Sequence, residues 1–515
     1  MALNLTIKQG SENYTATIVE IKNIFPIEGA DKIVRTNVEG NDVIISKDEK
    51  IGTKMIYFVS GTKLNPDFCK YNNLLTDKEQ NNDKTKTGYI SHKQFRVKAI
   101  KLKGVISDGI LLPLLSLAPI LGPGINLNRL EIGNTFTDID NIPICEKYIV
   151  PVARSSNPGG KSPKIARFNR ILENQFHFHN DTANLRKNMH KLNPNDIIGI
   201  HYKKHGTSAV FANIPTLRPL KWWEKMLVKL GINIDNKVYD IVYSSRTVIK
   251  NKYINLESNE GYYGEDIWGV VAKEIGHLIP KNWTIYAEIL GFTPNGNSIQ
   301  KGYDYGCNSS IRNNEQSYVG KKVKKESGKP FKSTFLINTV KDVVINPNTN
   351  NKAFSFIEDE SLVDCHQCIS AINEHKFYVY KISVVNPDGQ LIFLTDKQIE
   401  EYCEKVGLFY KDTFIYYGNI DNLFESKDFT DWDVLHRKDV RDTWQETLLD
   451  YLEYKYNEKD CYMCTNKVPE EGIVLRIEHL EEYEAYKLKS KRFILRESEA
   501  QENLETNLED NQDES

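Results

Sequence analysis

The chain has 515 residues, enough at roughly 100 to 200 residues per domain for two to four domains with substantial cores. Hydrophobic residues make up 40% and charged residues 27%, which excludes fibrous, collagen-like and wholly disordered chains. Lys and Arg number 67 against 70 Asp and Glu, but residues 497 to 515 hold eight acids and no base, and without them the formal charge of −3 becomes +5. A mildly basic body permits nucleic-acid binding without requiring it. The opening Met-Ala-Leu-Asn-Leu-Thr lacks the basic and apolar segments of a secretory signal. The most apolar stretch, Ile110 to Ile120, is too short for a bilayer and is broken by Pro113 and Pro119. The expectation is an intracellular, cytoplasmic protein with no membrane partner. Eight cysteines are too few for a disulfide scaffold.

Residues 14 to 121 carry short β-type runs: Thr15 to Ile21, Asp42 to Ser46, Lys54 to Val59 and Phe95 to Leu102, separated by Gly, Asn and Asp turns. This predicts a small OB-type barrel. Arg96 with Lys98, and Lys101 with Lys103, are spaced to share strand faces, either as a nucleic-acid surface or as a solvated one. Residues 153 to 167 are rich in Gly, Pro, Ser and cations, which is linker chemistry. Further β-type runs at Ile197 to Tyr202, Val238 to Tyr243, Trp283 to Leu290, Lys376 to Ile382 and Gly472 to Arg476 are interleaved with helical patterns, giving an α+β class. Residues 308 to 375 are polar and read as an insertion with a mobile loop; 396 to 457 read as largely helical.

Five segments on or after these runs carry residues suited to a nucleotide. Lys203, His205 and Gly206 form Lys-x-His-Gly after a strand, with Gly206 admitting a close backbone or phosphate. Tyr243-Ser-Ser-Arg offers Arg246 as a phosphate fork. Ile285-Tyr-Ala-Glu-Ile-Leu-Gly puts Glu288 on an apolar strand, where an unpaired carboxylate is costly. Phe377-Tyr-Val-Tyr supplies Tyr380 for stacking, and Glu470-Glu-Gly-Ile-Val-Leu-Arg precedes Tyr486-Lys-Leu-Lys, which puts Lys487 and Lys489 on one strand face. Singly, each has a bland reading: a solvated turn, a core tyrosine, a strand-end charge. Together and in this order, they do not.

In that order the segments resemble the covalent nucleotidyltransferase superfamily of ATP-dependent ligases and mRNA capping enzymes, across residues 200 to 493. The detail is closest to RNA ligases of the phage RNA ligase 2 and RNA-editing type. The N-terminal runs Ile24-Phe-Pro-Ile-Glu-Gly-Ala-Asp-Lys-Ile and Lys103-Gly-Val-Ile-Ser-Asp-Gly-Ile-Leu-Leu-Pro resemble the OB domain of the Deinococcus-type RNA ligase class. The resemblance implies an OB barrel over 1–130, a linker over 131–172, and an adenylyltransferase (ATP-grasp-like ligase) domain of antiparallel sheets and helices over 173–496, then an acidic disordered tail over 497–515. It implies an ATP-dependent RNA ligase for RNA repair, acting on RNA ends or a nicked duplex with an RNA 3′-OH strand. Lys203 would become adenylylated; His205 and Thr207 would act near the transferred phosphate, with Gly206 close by. Arg246, Lys487 and Lys489 would neutralise phosphate charge and favour a neutral Lys203 amine. Glu288 and Glu471 would bind ribose or hold Mg²⁺ or Mn²⁺, and Tyr380 would stack on adenine. Tyr202 stands where a Glu is common, and Lys381 where an Asp is common. The alternatives are a DNA ligase or capping-type enzyme, in which an OB domain usually follows Lys-x-Lys, and a noncatalytic RNA-binding protein derived from a ligase.

Cys365 with Cys368, and Cys461 with Cys464, form two C-x-x-C pairs. They read either as a structural zinc site or as four ordinary thiols.

Overall fold

The computed structural model describes residues 3–122, 125–149, 168, 170–179, 181–253, 263, 265–294, 297–305, 317–323, 330–336, 340–357, 361–364, 375–408, 415–436, 443–479 and 481–502. Among these, no helix is long and apolar enough to cross a membrane.

Three of the expected N-terminal runs are strands, at Ala16–Glu20, Asn41–Ser46 and Lys54–Phe58, and shorter strands join them. Ala16–Glu20, Lys54–Phe58, Ile110–Pro113 and Thr135–Phe136 form one antiparallel sheet, and Phe25–Pro26, Ile33–Val38 and Asn41–Ser46 form another. Ile18, Ile56, Phe58 and Phe136 close the core of the first, while Val34, Val43 and Tyr57 build a second. Three smaller sheets complete the domain, so its strands are divided among separate sheets instead of one closed barrel. Two expectations are corrected. The run from Phe95 is strand only over Ile100–Leu102, because Phe95 and Lys103 take positive φ and Arg96 is buried, its guanidinium over the Tyr148 ring. Pairing also continues past residue 130: Asp138–Ile139 pairs with Leu5–Thr6, and Cys145–Lys147 with Thr62–Leu64.

The second domain is built on two five-stranded sheets. One has the order Lys237–Ser244, Thr207–Leu217, Trp283–Gly291, His375–Val385, Leu391–Phe393; all its neighbours are antiparallel. The other has the order Ala183–Asn184, Glu484–Lys489, Gly472–Ile477, Ile197–Tyr202, Tyr416–Asn419, antiparallel except at its first pair. Helices Ile267–Ile275 and Asp396–Val406 cover the first sheet through Trp268, Val271 and Ile399. The helices between residues 420 and 452 cover the second through Leu423, Trp432 and Leu448. Each sheet thus has one helix-covered face, and the other faces are left to meet across a cavity. The insertion differs from expectation: its described residues form a five-stranded antiparallel sheet, with Ala353 and Phe356 buried.

The domains meet at a charged seam. Arg186 donates to the Gly40 carbonyl at 3.0 Å and pairs with Glu453. Gly40 has φ +76, and a Cβ there would lie 2.4 Å from Leu449 Cδ2, so this turn needs glycine for both conformation and approach. Residues 497 to 502, expected as disordered tail, continue the helix Lys491–Glu502; the rest of the tail lies outside the described residues. The reason is local pairing. The Ser498 hydroxyl accepts from the Ala99 N–H at 3.1 Å, and its carbonyl accepts from Arg96 at 3.0 Å. Replacing Arg186 with Met leaves Glu453 with Lys491 as its remaining cation and should cost about 1.5–3 kcal/mol for the lost charged hydrogen bonds, read as a lower urea midpoint of the full chain.

Candidate active site

Residues 203 to 206 carry the chain from Ile197–Tyr202 in one sheet to Thr207–Leu217 in the other. The turn is held tightly. Lys203 N–H donates to the Gly472 carbonyl at 2.8 Å, Gly206 N–H to Glu288 Oε1 at 2.9 Å, and Gln300 Nε2 to the Gly206 carbonyl at 2.8 Å. The Tyr305 hydroxyl bridges the N–H and carbonyl of His205 at 3.0 and 2.9 Å. A Cβ on Gly206 would lie 2.3 Å from the Ile289 carbonyl oxygen, so close strand approach requires glycine there. The buried Glu288 carboxylate thus finds its partner in the backbone of this turn.

Lys203 Nζ lies 2.6 Å from Glu471 Oε1, and His205 Nδ1 lies 3.5 Å from Oε2. The Glu471 side chain is only 1% exposed. Strand register explains the meeting: Tyr202 pairs with Ile473, Gly472 with Lys489, and Val474 with Lys487. The adjoining cavity, about 980 Å³ counting space open to solvent, is lined by Lys203, Ser208, Arg246, Glu288, Tyr380 and Lys487, with Val474 beside them. Tyr380 hydrogen-bonds Ser208 through their hydroxyls at 3.3 Å, and its ring meets His179 edge-on at 5.1 Å. Burial lowers the Lys487 ammonium pKa, as do Lys489, Lys203 and Arg246, while Asp181 opposes them. His205, Gly206, Thr207 and Glu471 do not line this cavity; Lys489 lines a second one beside it and pairs with Glu497 at 3.1 Å.

Sequence reasoning missed His179, Asp181, His201, Asp396, Arg476 and Tyr483, which also line the cavity. Asp396 accepts from Arg476 at 2.9 Å and lies 2.6 Å from His201 Nε2. Gly199 makes room for it, since a Cβ there would lie 2.0 Å from Asp396 Oδ2. His201 stands two residues before Lys203, and Arg476 closes the quoted run Glu470 to Arg476, so the motifs themselves hold a signal for both. Lys381 is buried beneath aromatic rings, with Nζ 3.8 Å from the Tyr286 centroid and 4.6 Å from that of Tyr483.

The cavity's size and its mixture of aromatic and cationic walls suit a nucleotide. Glu288 and Glu471 offer hard oxygens of the kind Mg²⁺ or Mn²⁺ takes together with phosphate. Among the described residues, no group of three or more His, Cys, Asp or Glu is placed to hold a metal ion alone. The zinc expectation gains no support. Cys365 and Cys368 lie outside the described residues, and Cys461 and Cys464 are free thiols. Hydrogen bonding between the two pulls the Cys461 thiol down to about 7 and pushes Cys464 up.

A family model described as an OB-fold domain matches residues 15–114. No curated protein matches the chain. Among solved structures, the chain is similar to a Naegleria gruberi RNA ligase. An apo mutant of it matches at 15% identity and TM-score 0.48, covering 94% of this chain and 98% of that one. A mutant with AMP and Mn matches at 14% and 0.46, covering 93% and 98%.

Burial pushes the Lys381 amine down to about 7, against about 10.4 for an unfolded lysine. Between those values the unfolded chain binds more protons than the folded one, so stability rises with pH across that window and the cost is fully present below it. Lys381→Met should raise the melting temperature near pH 6 and flatten the slope between pH 7 and 10, as read by thermal melts at three pH values.

Proposed function

We propose that this protein is an ATP-dependent RNA ligase that seals 3′-OH and 5′-phosphate ends through a lysyl-adenylate on Lys203. The single observation that carries the reading is the Lys203 amine at the edge of a nucleotide-sized cavity, paired with buried Glu471 and sharing that cavity with Arg246 and Lys487. The five ordered motifs supply the reaction class, and the OB-fold domain ahead of them favours a nucleic-acid substrate. The narrower resemblance to the Deinococcus-type class rests on the N-terminal runs alone; no comparison names it, and the proposal stops at the wider group.

In the first step the Lys203 amine attacks the α-phosphorus of ATP, an N–P bond forms, and pyrophosphate leaves. An amine paired with a carboxylate is held as ammonium, so its proton must go first; Glu471, 2.6 Å away, is placed to take it. Glu471 therefore opposes the cations that were expected to keep the amine neutral, and doubles as the base. Arg246 and Lys487 neutralise charge building on the phosphate oxygens. Tyr380 packs against the base, and Val474 stands on the opposing sheet. Glu288, which lines the cavity, is the residue that would hold a divalent ion, which supplies further neutralisation of phosphate charge when bound; Glu471, expected beside it as a ligand, is used here as the base. An oxygen of the RNA 5′-phosphate next attacks the adenylate phosphorus and frees Lys203, and a 3′-hydroxyl then attacks the activated end and displaces AMP.

Incubation with α-³²P-ATP should label the protein covalently. Lys203→Ala should abolish the label, but it also strips buried Glu471 of its amine partner and should lower the melting temperature. Lys203→Arg, which keeps a cation beside Glu471 but supplies no nucleophilic amine, should abolish the label with a smaller change in melting temperature. Label retained on Lys203→Ala defeats the assignment, and label from GTP but not ATP favours the capping alternative.

A further inference from the structure

The helix Trp222–Lys229 is amphipathic in reverse. Its one buried side chain is Glu224, which accepts from Arg218 at 2.6 and 2.7 Å and from the Lys221 N–H at 2.7 Å, so a charged pair fastens the helix to the end of the strand before it. The large apolar residues point the other way. Trp222, Met226 and Leu230 are 77%, 56% and 75% exposed, and their four-residue spacing makes them one stripe. Trp223, Val228 and Ile232 are exposed as well and widen it. Lys221, Lys225 and Lys229 form a second exposed stripe at the same spacing, one position earlier, and Lys237 follows on the next strand. From Lys221 to Tyr239 the one exposed acid is Asp235. Single exposed apolar residues are ordinary, but a contiguous patch with a charged border marks an interaction surface.

An apolar stripe flanked by lysines fits a partner that is apolar within and anionic at its surface. A nucleic acid meets part of this: it would take the lysines and stack on the indoles, but it offers nothing to Met226, Val228 and Leu230. A bilayer with anionic headgroups meets all of it. Indoles settle at the headgroup level, aliphatic side chains pass below them, and lysines along the flank reach the headgroup charges. Apart from the lysines and the indole N–H groups, the stripe has no hydrogen-bonding side chain to fix a register, and a fluid partner requires none. We propose that the segment from Trp222 to Ile232 lies on an anionic bilayer surface, with Trp222, Met226 and Leu230 inserted and Lys225 and Lys229 at the headgroups. The expectation of no membrane partner rested on spanning length, which an interfacial helix does not need. The helix follows the far end of Thr207–Leu217, the strand that begins at the Lys203 turn, roughly 33 Å along at about 3.3 Å per residue. Docking there does not cover the nucleotide cavity, and the proposal does not depend on the ligase reading.

The test is flotation of the full chain with vesicles of phosphatidylcholine alone and of phosphatidylcholine with about 30% phosphatidylserine. The wild type should float with the anionic vesicles, its tryptophan emission shifted to the blue, and should bind the neutral ones about tenfold less. Trp222→Ser combined with Leu230→Ser should weaken binding about tenfold or more. Lys225→Gln combined with Lys229→Gln should weaken it about three- to tenfold at low salt, a difference that shrinks at high salt. No flotation of the wild type, equal flotation with both lipids, or flotation unchanged by either pair of substitutions overturns the proposal. Where flotation is absent, a dimer that the Trp222→Ser, Leu230→Ser chain loses assigns the stripe to a second copy, and poly(U) binding that it loses assigns the stripe to nucleic acid. If that chain does not fold, Met226→Asp decides; failure of both to fold also overturns the proposal, since the stripe would then belong to the fold. Flotation uses no nucleotide, so its outcome and that of ATP labelling are independent.

Discussion

Four residues between two sheets set the geometry of everything else. The chain leaves one five-stranded sheet at Tyr202 and enters the other at Thr207, and the turn between them is pinned from both sides, by the Gly472 carbonyl and by Glu288. Because its backbone cannot shift without breaking those bonds, the Lys203 side chain emerges at a fixed point between the sheets. Preorganisation of this kind is what positions a nucleophile before substrate arrives. The two glycines in the region serve the same constraint: Gly206 lets the Ile289 carbonyl approach, and Gly472, at φ +148, would place a Cβ 2.2 Å from the Leu488 carbonyl oxygen.

From that turn the electrostatics follow. The pocket gathers Lys203, Arg246 and Lys487 within reach of one another, and such a cluster is costly in a half-buried site unless anions offset it. The protein supplies its own: Glu471 for Lys203, Asp181 for Arg246 and Lys487, and Glu497 for Lys489. At the opposite end, Arg476 is offset by Asp396 and Glu478. Lys381 is the exception, since its ammonium is met by aromatic faces, and burial pushes it down to about 7.

Legibility in the sequence followed the range of each signal. Strands with period-two or continuous apolar character, such as Ile197–Tyr202 and Trp283–Gly291, stood out because their side chains alternate against a core. The Lys203, Glu471, Lys487 group could be recognised because its members belong to adjacent strands and their motifs preserve chain order. Asp181 and Asp396 could not: each reaches its partners by a long-range contact, 65 residues to Arg246 and 80 to Arg476, and neither carries a local pattern. The insertion misled for a different reason. Its polarity reads as loop, yet its described residues pair into a sheet through backbone bonds that polar side chains do not prevent. The end of the N-terminal domain was obscured because Thr135–Phe136 and Cys145–Lys147 are strands of two and three residues, below the length at which alternation is visible.

The acidic end of the chain illustrates why net charge is a poor guide to local role. As a run of eight acids it reads as a solvated, repelling tail. Its first member instead answers Lys489, while the neighbouring Ser498 joins the helix to Ala99 and Arg96 of the N-terminal domain. The same helix carries Lys491, which lies 3.4 Å from Asp42 and 3.3 Å from Glu453. One helix therefore closes the seam, supplies a counter-ion to the cationic strand, and bridges acids from both domains. A mildly basic body and an acidic terminus are, at this point, two halves of one charge-balanced contact, and the N-terminal domain sits where it does because the strand that ends in Lys489 leads directly into the helix that holds it.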